Sequence, residues 1–224
     1  MRFSRTLFGS AAAATMVATA GCSIGAPPPP PPLPVMRPAV FTPLGLGAIY
    51  LSGDVIGGRK ARAARMKAAK IAPLSAADVP GYMTTTETQL RQQTAGIGVD
   101  VLRLPDSIII RIPAALTFAA GSAAVKPQFD ATLLEIARTV KGRTRTYVDV
   151  LAHTDTSGTP QVNQSLSNKR AAAVASYLAG HGVAKARTAS KGLGESAPLY
   201  NPEMSETEKA ANRRVEIRLV PYRG

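Results

Sequence analysis

From residue 99 onward the apolar positions switch between a period of two and a helical period. Val99–Leu104 and Ser107–Ile112 are short alternating runs joined at Pro105 and Asp106. They predict a hairpin with Ile108, Ile110 and Ile112 on one face. Leu116 and Phe118 precede a small-residue loop at Gly121 and Ser122. Pro127 stands near a helix start, where its missing N–H does no harm. Phe129, Leu133, Ile136, Ala137 and Val140 then recur at helical spacing until Gly142. Thr146–Ala152 is β-rich, with Val148 and Val150 on one side and Tyr147 and Leu151 on the other, as an interior strand requires. A second helix is predicted from about Asn163 to Ala179, stopping at Gly180 and Gly182. A weaker strand follows over 187–193, then a polar loop and short helix over 195–211. In the last strand Val215, Ile217 and Leu219 alternate with Arg214, Glu216 and Arg218.

This order, with helices on the crossovers, predicts an α/β sandwich: one mixed sheet with helices packed on it and a hairpin at its start. One helix face carries a chemical clue. Leu166, Arg170, Val174 and Leu178 share a stripe, so an arginine interrupts apolar positions. A buried guanidinium without a partner costs several kcal/mol, on the order of other unpaired buried charges. Asp155, on the turn feeding that helix, is the nearest candidate in sequence. Two readings stay open: Asp155 and Arg170 pair with each other as a strut, or both face a zwitterionic ligand.

The first 95 residues have a different character. Arg2 and Arg5 precede a mostly small and apolar run from Thr6 to Ala20, as in an export signal. The run ends in Thr19-Ala20-Gly21-Cys22, which resembles the lipobox of bacterial lipoproteins, with Thr19 where leucine is usual. The resemblance implies cleavage before Cys22, lipidation of Cys22 and, with Ser23 rather than aspartate next, an outer-membrane destination facing the periplasm. Pro27–Pro32 is an unbroken proline run, a polyproline II stem of roughly 20 Å at about 3.1 Å per residue. A Gly-rich patch over 44–58 follows. Arg59, Lys60, Arg62, Arg65, Lys67 and Lys70 then come interleaved with alanines. That basic stretch reads either as a solvated arm or as a contact for anionic head groups. Pro73–Gly81 reads as a linker and Glu87–Gln93 as a short polar helix. The expected organisation is therefore signal peptide 1–21, lipid-anchored proline-rich stem 22–43, Gly-rich and basic linker 44–95, and one domain over 96–224.

The chain has 224 residues and a formal charge of +13. That balance raises nucleic acid or an anionic surface as a partner, but an export signal removes nucleic acid from consideration. Cys22 is the only cysteine, so no intrachain disulfide forms. His153 is one of only two histidines and has no second histidine or cysteine near it in sequence. Ser-x-x-Lys is absent. These features point to no catalytic residue, no metal and no cofactor.

The series His153-Thr154-Asp155, Gly158, Asn163, Leu166-Ser167, Arg170-Ala171, Val174, Gly182-Val183, Gly192, Gly194, Pro198 and Asn212-Arg213-Arg214-Val215-Glu216-Ile217 resembles the OmpA-like peptidoglycan-binding domain in order and spacing. The resemblance implies capture of peptidoglycan through the diaminopimelate of its stem peptide. Asp155 would accept the ligand ammonium and Arg170 would hold its carboxylate. One of Arg213 and Arg214 would assist, and strand alternation does not choose between them. The family often has glycine-arginine a few residues before Asn212, where this chain has Glu208 and Lys209. A protein of the envelope that meets residues 44–70 is the alternative partner, with wall binding as a sensor.

Overall fold

The computed structural model describes residues 54–105 and 107–224. The signal, Cys22, the proline stem and most of the Gly-rich patch lie outside the described residues. In chain order the elements are α1 (Arg59–Ala68), α2 (Asp78–Thr94), β1 (Asp100–Leu104), β2 (Ser107–Pro113), the short α3 (Ala114–Thr117), α4 (Pro127–Gly142), β3 (Thr146–Ala152), α5 (Pro160–Gly180), β4 (Thr188–Gly192), α6 (Glu206–Asn212) and β5 (Arg214–Pro221). A 3₁₀ turn at Lys185–Arg187 leads into β4.

The strands form one sheet in the order β1-β2-β5-β3-β4. β1, β2, β5 and β3 are joined antiparallel, whereas β4 runs parallel to β3 after the α5 crossover. β3 is therefore interior, as its two apolar faces require. The isoleucines at 108, 110 and 112 share a face with Val148, Val150, Ala152, Val215, Ile217 and Leu219. That face is sealed by Leu133, Ile136 and Val140 of α4 and by Ala171, Val174 and Leu178 of α5. Each fully buried aliphatic side chain there stabilises the fold by roughly 1.5–3 kcal/mol.

The segment expected to be a linker up to residue 95 is built differently. Val79, Met83 and Leu90 of α2 are buried in the same core. The alternation of apolar residues with Thr86 and Thr94 hides this stripe, because those threonines are also buried, Thr86 donating to Tyr82 O and Thr94 to Leu90 O. Nor is α1 a solvated arm. It lies on the other sheet face, where Met66 packs with Tyr147, Val220 and Tyr222. Arg62 donates to Asp149 Oδ1 at 2.5 Å and Arg59 to Asp149 Oδ2 at 3.3 Å, while Asp54 accepts from Arg62 at 3.2 Å. A carboxylate in the middle of β3 is tolerable only with such partners. Among the described residues no helix is long and apolar enough to cross a membrane.

Candidate functional site

Past Ala152 the chain leaves β3 but stays tied to its neighbours. His153 N donates to Arg214 O, Thr154 N to Gly194 O and Leu193 N to Ala152 O, each at 2.9 Å. Asp155 is thereby fixed at the sheet's end. Its Oδ1 accepts from Ser157 N at 3.2 Å, an aspartate turn that Gly158 closes at φ 93°. Thr159 then caps α5, its hydroxyl accepting from Val162 N at 3.3 Å, and Pro160 opens the helix. Asn163, one turn in, donates to Asp155 O at 3.2 Å and to Glu195 Oε2 at 2.6 Å.

Ser167 and Gly192 set how closely α5 approaches the sheet. A Cβ on Gly192 would stand 2.2 Å from Asn168 N, so helix and strand meet backbone to backbone. Ser167 Oγ accepts from Gly194 N at 2.9 Å. The next inward position of the helix is Arg170. It is 5% exposed, lies over the Phe118 ring at 5.2 Å, and donates through Nε to Ser122 O at 2.9 Å and through Nη2, more weakly, to Ala119 O at 3.5 Å. Burial, and then the nearby Arg213, lower its proton affinity, while Asp155 opposes them.

The strut reading fails on geometry. Among the described residues no carboxylate lies within ion-pair distance of Arg170, and Asp155 Oδ2 instead accepts from Arg213 Nη1. Arg213 comes from the end of α6 and its side chain is 36% exposed. Arg214, expected as an equal candidate, is not at this site. It points to the other sheet face, 1% exposed, with Nε on Glu216 Oε1 at 2.7 Å and Nη2 on Ala197 O at 3.2 Å. The alternation along β5 separates the neighbours, and the burial of Glu216 claims Arg214.

Two polar side chains that the sequence did not single out for this role hold the arrangement. Asn212 accepts from Leu199 N at 2.6 Å and from Tyr200 N at 3.1 Å, and donates to Tyr200 O and Glu203 Oε1. Glu203 in turn accepts from Thr156 N at 3.1 Å and Thr156 Oγ1 at 2.8 Å. Glu203 thus bridges the residue after Asp155 to the residue before Arg213. Burial raises its carboxyl pKa, but the hydrogen bonds from Asn212 and Thr156 outweigh this and leave it lowered. His153 is buried, and burial followed by the charge of Arg214 holds it down to about 3. Its ring is neutral and bonded to the Ala197 backbone, a structural role. Among the described residues no group of three His, Cys, Asp or Glu could hold a metal ion.

One carboxylate and two guanidiniums therefore share one end of the sheet. A guanidinium suits two-pronged capture of a carboxylate, and Asp155 suits an ammonium. Residues 117–213 match the model of the OmpA family. Over 140 residues the chain is 41% identical to the probable lipoprotein YiaD of Escherichia coli K12, covering 62% of this chain and 64% of YiaD, so it spans less than two thirds of that relative. A MotB-like protein from Desulfovibrio vulgaris superposes with a TM-score of 0.57 at 26% identity, over 62% of this chain and 94% of its own. The cell wall anchor of the type VI secretion system (T6SS) from Pseudomonas aeruginosa does so at 0.54 and 28%, over 60% and 99%.

Proposed function

We propose that this chain, which carries an OmpA-family domain over residues 117–213, binds peptidoglycan non-covalently and links an envelope membrane to the wall. The carrying observation is Arg170: a buried guanidinium with no carboxylate of its own among the described residues, beside an Asp155 that is paired with one half-exposed arginine. The ligand that fits is the free amino-acid head of diaminopimelate, an ammonium and a carboxylate on one carbon. Arg170 takes the carboxylate, Asp155 takes the ammonium, and Arg213 swings from Asp155 to the rim of the ligand. Each charge-assisted hydrogen bond contributes roughly 1.5–3 kcal/mol, so two or three give a reversible grip. Many tethered copies make such a grip effective through local concentration. The likeness to a cell wall anchor supports the same reading. Cys22 supplies the tether in this proposal, placing the chain on the outer membrane with the domain in the periplasm.

The proposal is of a binder with no catalytic step. A protein partner on residues 44–70 is the lesser reading, because Arg62 and Met66 of that segment face the sheet. Sedimentation with purified sacculi tests the assignment. Wild-type protein is expected in the pellet, and Asp155→Ala and Arg170→Ala each in the supernatant. Undiminished pelleting of both folded variants would remove the site from this surface.

A further inference from the structure

The ends of the sheet differ in charge. At the clamp end, the connecting segments carry Asp155, Glu195, Glu203, Glu206 and Glu208. The opposite end is made of the β1–β2 connection, which carries Asp106, and of three turns and the C-terminus, with residues 67–73, 141–145, 181–187 and 222–224. These four segments contain lysine and arginine and not one aspartate or glutamate. β3, seven residues long, separates the ends by roughly 20 Å at about 3.3 Å per residue.

The basic segments are sewn into one surface. Buried Arg187 donates to Arg143 O at 3.1 Å and to Val140 O, joining the 3₁₀ turn to the α4–β3 turn. Tyr222 N donates to Arg145 O at 2.9 Å and Leu74 N to Tyr222 O at 2.7 Å, which brings in the C-terminus and the α1–α2 connection. A Cβ on Gly182 would meet Lys141 Cε at 3.0 Å, so that lysine lies across the α5 end. Arg143 and Arg145 flank the Tyr82 ring at 5.7 and 5.3 Å. Lys70, Lys141 and Lys185 are exposed.

We infer that this pole docks on an anionic lipid headgroup layer. Cations drawn from four segments suit an extended anionic surface, which needs charge density rather than a fitted pocket. The place of that surface in the envelope rests on the wall-binding reading: a domain that holds the wall at one end presents the other to the membrane. Docking would then hold the clamp facing away from the lipid. The charge distribution itself is independent of that reading.

The test uses the full chain with Cys22→Ser, so that no acyl chain contributes, in co-sedimentation with vesicles. Mixed phosphatidylglycerol and phosphatidylethanolamine vesicles are compared with phosphatidylcholine vesicles at low and high salt. Wild-type chain is expected to prefer the anionic vesicles and to release in high salt. Lys70→Gln/Lys141→Gln/Lys185→Gln should weaken anionic binding about 100-fold, near 5-fold per cation. Lys126→Gln/Lys169→Gln/Lys209→Gln removes the same charge elsewhere and should change it less than about 3-fold. Equal loss in both triple variants, or equal binding to neutral vesicles, would overturn the inference. Sacculus binding by the first triple variant should be intact, which separates failure of this surface from failure of the clamp.

Discussion

Two arginine–carboxylate clusters, fed by the chain neighbours Arg213 and Arg214, show what a closed pair and an open one look like. On the sheet face away from the main core, Glu216 is 1% exposed, bonded to Arg214 and 3.6 Å from Arg111. At the sheet's end, Asp155 has the half-exposed Arg213 as its ion-pair partner, with Arg170 beside it and turned to backbone carbonyls. The first cluster has used its charges on itself. The second has the same two guanidiniums to one carboxylate, but Arg213 is partly exposed at a rim and Arg170 has no ion pair among the described residues. Burial of a charged pair is therefore weak evidence of function here, and incomplete pairing at an edge is the stronger sign.

That contrast is broken most forcefully at Glu216. Glu216→Ala leaves Arg214 and Arg111 buried without their carboxylate, and should cost about 3–5 kcal/mol in chemical denaturation. Peptidoglycan affinity per folded molecule should be unchanged. A loss under about 1 kcal/mol would mean the face is not closed in the sense argued.

Acid should act next, and again on the closed face. Burial pushes the Glu216 carboxyl up, but Arg214 foremost among its neighbours outweighs this and holds it at about 2, below its ordinary 4.5. His153 is held at about 3, below 6.5. Both groups bind protons more readily in the unfolded chain, so both remove stability as pH falls. His153 acts from about 6.5 down toward 3 and Glu216 from about 4.5 down toward 2. Urea midpoints should decline from pH 7 to pH 3, more steeply below 4.5, and Glu216→Gln should flatten the lower arm. A level wild-type profile would contradict this.

Neighbouring arginines give the cleanest reciprocal pair. Arg213→Ala should weaken sacculus binding roughly 10-fold, the scale of one charge-assisted bond, with the denaturation midpoint nearly unmoved. Arg214→Ala should do the reverse, losing about 3 kcal/mol of stability as a broken buried pair does. The smallest effect is expected from Glu203→Gln. It keeps the bridge's shape but weakens its hydrogen bonds to Thr156, and binding should fall only about 3-fold.

Much of this was legible in the sequence. The isoleucine alternation of β2, the helical period of α4 and the alternation of β5 are local patterns strong enough to give the sheet and its helix cover. Asp155 and Arg170 were legible because a charge on an apolar stripe needs a reason. What was hidden depended on contacts far apart in sequence. α1 contributes an arginine where a core residue is normally sought, and its partner, Asp149, lies 87 residues away. The signal was present all the same: a carboxylate between Val148 and Val150 in an interior strand calls for a cation from elsewhere. Only the Glu87–Gln93 part of α2 is predicted, and its buried stripe is hidden because threonines that bond their own helix take buried positions. The choice between Arg213 and Arg214 depended on Glu216, whose burial no periodicity disclosed. Glu203 stands in an irregular loop, and its bridge exists only once Thr156 and Asn212 are folded together.

The central claim is that Arg170 and Asp155 grip an amino-acid head bearing both an ammonium and a carboxylate. Calorimetric titration of stem peptide containing diaminopimelate, against the same peptide with lysine at that position, tests it most directly. Lysine keeps the ammonium and lacks the carboxylate that Arg170 would hold. It should bind about 10- to 100-fold more weakly, and Arg170→Ala should erase the difference. Equal affinity for the two peptides, or a preference that survives Arg170→Ala in a folded protein, would contradict the account.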